Sequence, residues 1–197
     1  MKGDITNYYK LANVYERDVF FSYADNNTFV RFDLEKGIEY PSNEKLYYSI
    51  DKFDSYLDKY DILPTIGGEL VSLKLKKLIE RLGTDCQFIP AVITSTNTGE
   101  INESFFVMNV LNLVPCLDME KSEHRPLIKS LPDGPIKLLS IKYVPNSLIG
   151  HHIVRMKEYA GTIIVDDVFI KACKVQKIKG IMFVKEGSTQ RPDFVDI

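Results

Sequence analysis

The sequence predicts an α+β fold, a single domain with a largely antiparallel or mixed sheet and about three helices. Three observations carry the prediction. Short apolar runs of strand length alternate with turn-forming residues, two segments repeat apolar residues at helical spacing, and the last third reads strand, helix, strand without a glycine-rich phosphate loop. The chain has 197 residues, enough for one domain with a substantial core. With 45% apolar and 26% charged residues, the composition is that of an ordinary globular protein and argues against a disordered or fibrous chain.

The first elements predicted are strands in "DVFFSYAD" and "TFVRFDLEKG", joined at Asn26 and Asn27 as an antiparallel hairpin because asparagine tolerates tight-turn geometry. Phe53, Tyr56, Leu57 and Tyr60 then recur at the spacing of one helical face, which predicts a short amphipathic helix over 51–60 with its aromatic stripe in the core. A second helix is predicted over 72–82. Leu75, Leu78, Ile79 and Leu82 form its apolar face, Ser72 caps its start and Gly83 supplies the left-handed residue that stops it. Lys74, Lys76 and Lys77 crowd its first half against the helix dipole, as a solvated face or a binding face.

"QFIPAVIT" and "SFFVMNVLNLV" read as antiparallel strands, the second too apolar for a strand wetted on one side and therefore interior to the sheet. "LPDGPIK" is a turn, and "KLLSIKYV" and "HHIVRMKEY" are short strands. In "GTIIVDDVFIKACKVQKIKGIMFVKEG" a strand ends at Val165 and a helix follows over 167–175, capped by Asp166 and stapled by Val165 and Ile170. It stops within 177–180, and "IMFV" returns to the sheet.

A formal charge of −2 and a pI near 6.0 provide no whole-protein attraction for nucleic acid or an anionic membrane, so neither is an expected partner. Charge is nevertheless uneven. Residues 1–61 hold twelve acids against eight Lys or Arg, whereas 171–185 hold five lysines and no acid. Cys86, Cys116 and Cys173 are few, odd in number and set in apolar surroundings, which reads as reduced core thiols of a cytoplasmic protein. The opening residues lack an apolar signal segment and no later run reaches transmembrane length.

The chemical constellations are weak. His124, His151, His152, Asp118, Glu120, Asp166 and Asp167 show no metal-ligand spacing, and adjacent His151 and His152 face opposite sides of a strand. Asp118 and Glu120 could form a carboxylate pair, but acid–base chemistry also needs a cleft and two different protonation states. Ser122 beside Glu123 and His124 lacks the glycine pattern of a nucleophile elbow. No catalytic residue, metal ligand or cofactor is therefore assigned. The abrupt change in "NVLNLVPCLDMEKSEH" reads first as a strand exit, second as a protein-recognition site and third as an active centre. The partner-binding candidates are Asp118, Glu120, Lys121 and Glu123, with a second patch at Arg155, Glu158 and Tyr159, where arginine and tyrosine are effective interface residues.

"GELVSLKLKKLIERLGTDCQFIPAVI", "FFVMNVLNLVPCLDMEKS" and the closing segment together resemble, over 63–186, a bacterial immunity-protein family, number eleven of polymorphic toxin systems and formerly a domain of unknown function. The resemblance implies a non-enzymatic cytoplasmic protein that neutralises a toxin used between competing bacteria by binding the cognate toxin C-terminal domain. It carries no catalytic residues onto this chain. Residues 1–62, outside the resemblance, read as a divergent N-terminal subregion of one domain spanning 1–197, with a toxin-specific face as one role. Two alternatives remain open: a small-molecule enzyme such as a hydrolase with an acidic site, and a regulatory protein-binding module. Self-association does not follow from the sequence.

Overall fold

A computed structural model describes residues 6–41, 44–133 and 136–188, together with the strand Phe194–Val195. Of the predicted "LPDGPIK" turn, Gly134 and Pro135 lie outside the described residues. The first half runs β1 (Tyr8–Asn13), β2 (Phe21–Tyr23), α1 (Arg31–Glu35), β3 (Leu46–Ile50), β4 (Ile62–Leu63), β5 (Thr65–Ile66), β6 (Glu69–Ser72), α2 (Leu73–Arg81) and β7 (Cys86–Ser95). It continues with β8 (Ile101–Asn102), β9 (Phe105–Val110), β10 (Leu113–Val114), β11 (Glu123–Pro126), β12 (Ile136–Ser140) and β13 (Ile153–Met156). The last elements are β14 (Ile163–Asp166), α3 (Asp167–Gln176), β15 (Ile181–Lys185) and β16 (Phe194–Val195). The fold is α+β, as the sequence predicts.

The larger sheet has the order β4-β6-β9-β7-β3-β2-β5, with β8 folded onto β7, and the smaller one β10-β13-β14-β1-β15-β16. Both are mixed: β3–β7, β2–β5 and β10–β13 are parallel pairs, and the other pairs are antiparallel. The main core lies where the sheets meet α2 and α3, and joins Val71, Met108 and Val110 to Leu75, Leu78, Ile79, Phe169, Ile170, Ile163, Val165 and Phe183. Alternation along β14 sends Ile163 and Val165 into that core and Ile164 to the opposite face, where it meets Val114, Cys116, Leu117 and Tyr143. β14, inside the smaller sheet, is thus buried on both faces, which accounts for its apolar run.

Both long helices begin as their sequences dictate. Ser72 Oγ accepts the Leu75 amide at 3.2 Å, and Gly83 follows α2 with φ +65°. Asp166 accepts the Phe169 amide at 2.9 Å, with Val165 and Ile170 buried on either side of the cap. "QFIPAVIT" and "SFFVMNV" pair antiparallel as β7 and β9, and β9 lies inside the sheet between β6 and β7.

Two predicted elements do not form. Instead of an N-terminal hairpin, β2 pairs with β3 and β5, and "RFDLE" coils into α1. The alternation in that segment imitates a strand, yet Leu34 is the buried side chain of α1 and Phe32 is exposed. Asn27 does make a turn: its side chain donates to the Ala24 and Tyr47 carbonyls and accepts the Tyr47 amide, tying the loop to β3. Over 51–60 only Leu57–Lys59 winds, as a single 3-10 turn. Asp54 accepts the Tyr56 and Leu57 amides, and this local side-chain bonding competes with an α-helix. The expected stripe still packs, with Leu57 buried and Phe53 and Tyr60 against the same cluster.

The apolar run after β9 also divides. It leaves the larger sheet at Val110 and enters the smaller one at Leu113, so 111–112 is a crossover between sheets. Arg155 holds it: its backbone amide donates to the Asn112 carbonyl at 2.9 Å and its Nε to the Val110 carbonyl at 3.1 Å.

Candidate partner-binding surface

Beyond β10 the chain stays against the smaller sheet through an antiparallel bridge between Leu117 and Tyr143, and then turns at Asp118. The Asp118 amide donates to the Lys142 carbonyl at 2.9 Å, and its carbonyl accepts the Ser122 amide at 2.9 Å. Its carboxylate accepts the Lys121 amide at 3.1 Å and Lys121 Nζ at 2.8 Å. The Lys121 ammonium holds the Asp118 carboxyl below its ordinary value, the direction opposite to that of a general acid. Ser122 Oγ accepts the Lys142 amide at 2.9 Å and donates to the Lys142 carbonyl at 3.3 Å, so the hydroxyl is committed to the backbone. Glu120 and Glu123 are exposed, as is Met119 between the acids.

Glu158 joins the second predicted patch to the first. It follows β13 in the chain, and its Oε2 accepts the amides of Cys116 at 3.2 Å and Leu117 at 3.4 Å. Tyr159 is exposed in the turn between β13 and β14. Arg155 stands apart from this surface, because it is only 3% exposed and also donates to the Glu35 and Ala160 carbonyls at 3.0 and 2.7 Å. Its guanidinium therefore staples α1, the sheet crossover and the Tyr159 turn. Gly37 makes room for it, since a Cβ there would meet the Val110 carbonyl at 2.7 Å.

The sequence reading missed the most exposed part of this region. β11 and β12 form a two-stranded sheet paired with each other alone among the described strands. The loop between them displays Leu127, Ile128 and Leu131 at 59%, 52% and 50% exposure. Its signal was "PLIKSLP", three large apolar side chains in a segment otherwise made of turn formers.

The remaining chemical candidates disperse. His152 Nδ1 lies 2.8 Å from Asp166 Oδ2, His151 Nδ1 lies 3.2 Å from Asn112 Nδ2, and His124 is exposed on β11. Among the described residues no group of three or more His, Cys, Asp or Glu gathers as a metal site. Burial pushes the Cys116 and Cys173 thiols up to about 12 and that of Cys86 up to about 11, away from nucleophilic thiolates.

The surface and the fold describe a small α+β protein that exposes apolar and charged side chains on and around a separate two-stranded hairpin. The chain belongs to the immunity protein family Imm11, whose family model matches residues 12–188. The match begins well before the 63–186 span that carries the resemblance in the sequence, and takes in β2, α1 and β3. No curated protein matches the chain.

Proposed function

We propose that the protein acts in the cytoplasm as a non-enzymatic immunity protein, binding a cognate toxin C-terminal domain and covering its active site or blocking a conformational change it needs. The contact face is the β11–β12 hairpin together with Asp118, Glu120, Lys121, Glu123, Glu158 and Tyr159; Arg155 stays outside it, buried, and holds the Tyr159 turn through the Ala160 carbonyl. One observation carries this reading: a hairpin without other strand partners among the described strands, with three large exposed apolar side chains in its loop and charged residues at its base. Exposed apolar groups rimmed by charge are the usual make-up of a protein interface, and the rim charges steer encounter. A two-stranded hairpin is marginal by itself in water, and a partner that packs on it supplies the missing burial.

The test begins with affinity capture of the tagged protein from bacteria expressing their toxins. A recovered toxin domain is then purified and titrated with wild-type protein and with the Leu127→Asp/Ile128→Asp variant. Tight binding that suppresses toxin activity, and is weakened at least about tenfold in the variant, supports the reading. Equal binding by both proteins would remove the hairpin from the interface.

A further inference from the structure

α2 and α3 lie side by side over the main core and leave between them, on the solvent side, a groove of about 740 Å³ lined by Leu73, Lys74, Lys77, Glu80, Arg81 and Gln176. It is remote in the chain from the hairpin and uses none of the residues assigned above. Three lysines occupy the first half of α2, where cations oppose the helix dipole. Two of them have internal roles. Lys74 Nζ reaches Asp61 Oδ2 at 3.0 Å and the Lys177 carbonyl at 2.8 Å, linking the start of α2 to the end of α3. Lys76 Nζ pairs with Glu80 at 2.6 Å and lies over the rings of Phe88 and Phe106.

Lys77 has no such role. Among the described residues its ammonium makes no hydrogen bond or ion pair, and one turn further the Arg81 guanidinium contacts only the Lys77 carbonyl, at 3.2 Å. The acid lining the groove, Glu80, is neutralised by Lys76. Across the groove α3 contributes Gln176, an uncharged side chain, and its one acid, Asp167, is engaged by Asn7 and Tyr9 at the far end of the helix. Leu73, 46% exposed, provides apolar surface beside Lys77 and Arg81 in the same lining.

We infer that the α2–α3 groove is a second docking site, and that its occupant is an acidic segment of a partner protein that presents apolar side chains between its carboxylates. The unpaired Lys77 and Arg81 select the carboxylates, and exposed Leu73 takes an apolar side chain between them. Nucleic acid fits less well: the lining offers no aromatic ring on which a base could stack, and the whole chain is net negative.

The probe is a short synthetic amphipathic peptide with glutamates on one helical face and leucines on the other, labelled with a fluorophore and titrated with the full-length protein. Controls are the same peptide with lysines replacing the glutamates and a labelled single-stranded oligonucleotide. Lys77→Glu/Arg81→Glu is the test variant, and its circular dichroism and melting temperature are compared with wild type to establish folding. The expected result is saturable binding of the acidic peptide alone, weakened roughly tenfold or more by the charge reversal and by added salt. Leu127→Asp/Ile128→Asp should leave this binding unchanged. The proposal is overturned by absence of saturable binding, by binding indifferent to the charge reversal, or by preferred binding of the oligonucleotide. Concentration-dependent self-association that the reversal abolishes would also overturn it, by making a second copy the occupant.

Discussion

Glu158 holds Cys116: the carboxylate that follows β13 accepts the Cys116 amide at 3.2 Å, and with the neighbouring Leu117 amide at 3.4 Å it fixes the backbone from which the Asp118 turn departs. An acid predicted as a surface contact thus also positions the other half of the surface. Glu158→Ala should cost about 1 kcal/mol, since it frees two amides at a partly wetted site, and should weaken toxin binding more than that loss alone explains. Glu158→Gln keeps a carbonyl acceptor and should recover most of both. Thermal melts and binding titrations of the two variants check this.

Asp61 is a stronger anchor. It is buried, and its carboxylate accepts Ser72 Oγ at 2.6 Å, Lys74 Nζ at 3.0 Å and the Lys179 amide at 2.9 Å, joining the start of α2 to the segment that enters β15. Asp61→Ala leaves the Lys179 amide without its acceptor and should destabilise by about 2–4 kcal/mol in chemical denaturation, with an unchanged denaturant slope if folding stays cooperative.

Arg155 provides the third test. Its guanidinium serves the carbonyls of Val110, Glu35 and Ala160 from a buried position, and burial lowers its pKa. A lysine ammonium cannot span that fork geometry. Arg155→Lys should destabilise by roughly 2 kcal/mol, and Arg155→Met by about 3–5 kcal/mol as three carbonyls lose their charged donor. Loss of toxin binding without loss of stability would make Arg155 a contact residue and contradict the staple.

Glu69 predicts a dependence on pH. It lines a cavity of about 20 Å³ between the sheets, with Leu11, Asn13 and Gly161, and burial raises its carboxyl above the ordinary 4.5 despite the opposing effect of Arg155. Because the folded pKa is raised, the folded state holds the proton more tightly than the unfolded chain. The stabilisation is complete below the ordinary value and is lost as pH rises through the folded one. Glu69→Gln should therefore gain stability relative to wild type at neutral pH, and the gain should vanish as pH falls below the ordinary carboxylate range. Paired melts across that range measure it, and a constant difference would contradict the account.

What the sequence disclosed followed the physics of each segment. α2 was legible because capping residue, apolar spacing and stop signal agree at Ser72 and Gly83, and α3 because the Asp166 cap and the apolar spacing agree, with the expected stop within 177–180 realised by a left-handed Lys177. α1 was not, because five residues are too few for periodicity to separate helix from strand. Over 51–60 the apolar stripe identified Phe53, Leu57 and Tyr60 as core residues but not Tyr56, which lies outside the cluster, and Asp54 redirected the backbone. The run through "NVLNLV" showed no break where the chain changes sheets, since apolar residues continue from β9 into β10 and only Arg155, distant in sequence, marks the crossover. For the same reason the arginine looked like a surface residue. The hairpin tip was overlooked because turn formers dominate its segment and exposure is set by tertiary structure.

The β11–β12 hairpin and the Asp118–Glu158 region are proposed together as the face that neutralises a toxin domain. The most direct measurement titrates purified toxin domain, monitored by its own activity, with wild-type protein and with Leu127→Asp/Ile128→Asp, after melts show that the variant is folded. Wild-type protein should abolish toxin activity stoichiometrically, and at least about ten times more of the variant should be required. Equal inhibition by both proteins would contradict the assignment of the face, and toxin activity untouched by bound wild type would contradict neutralisation itself.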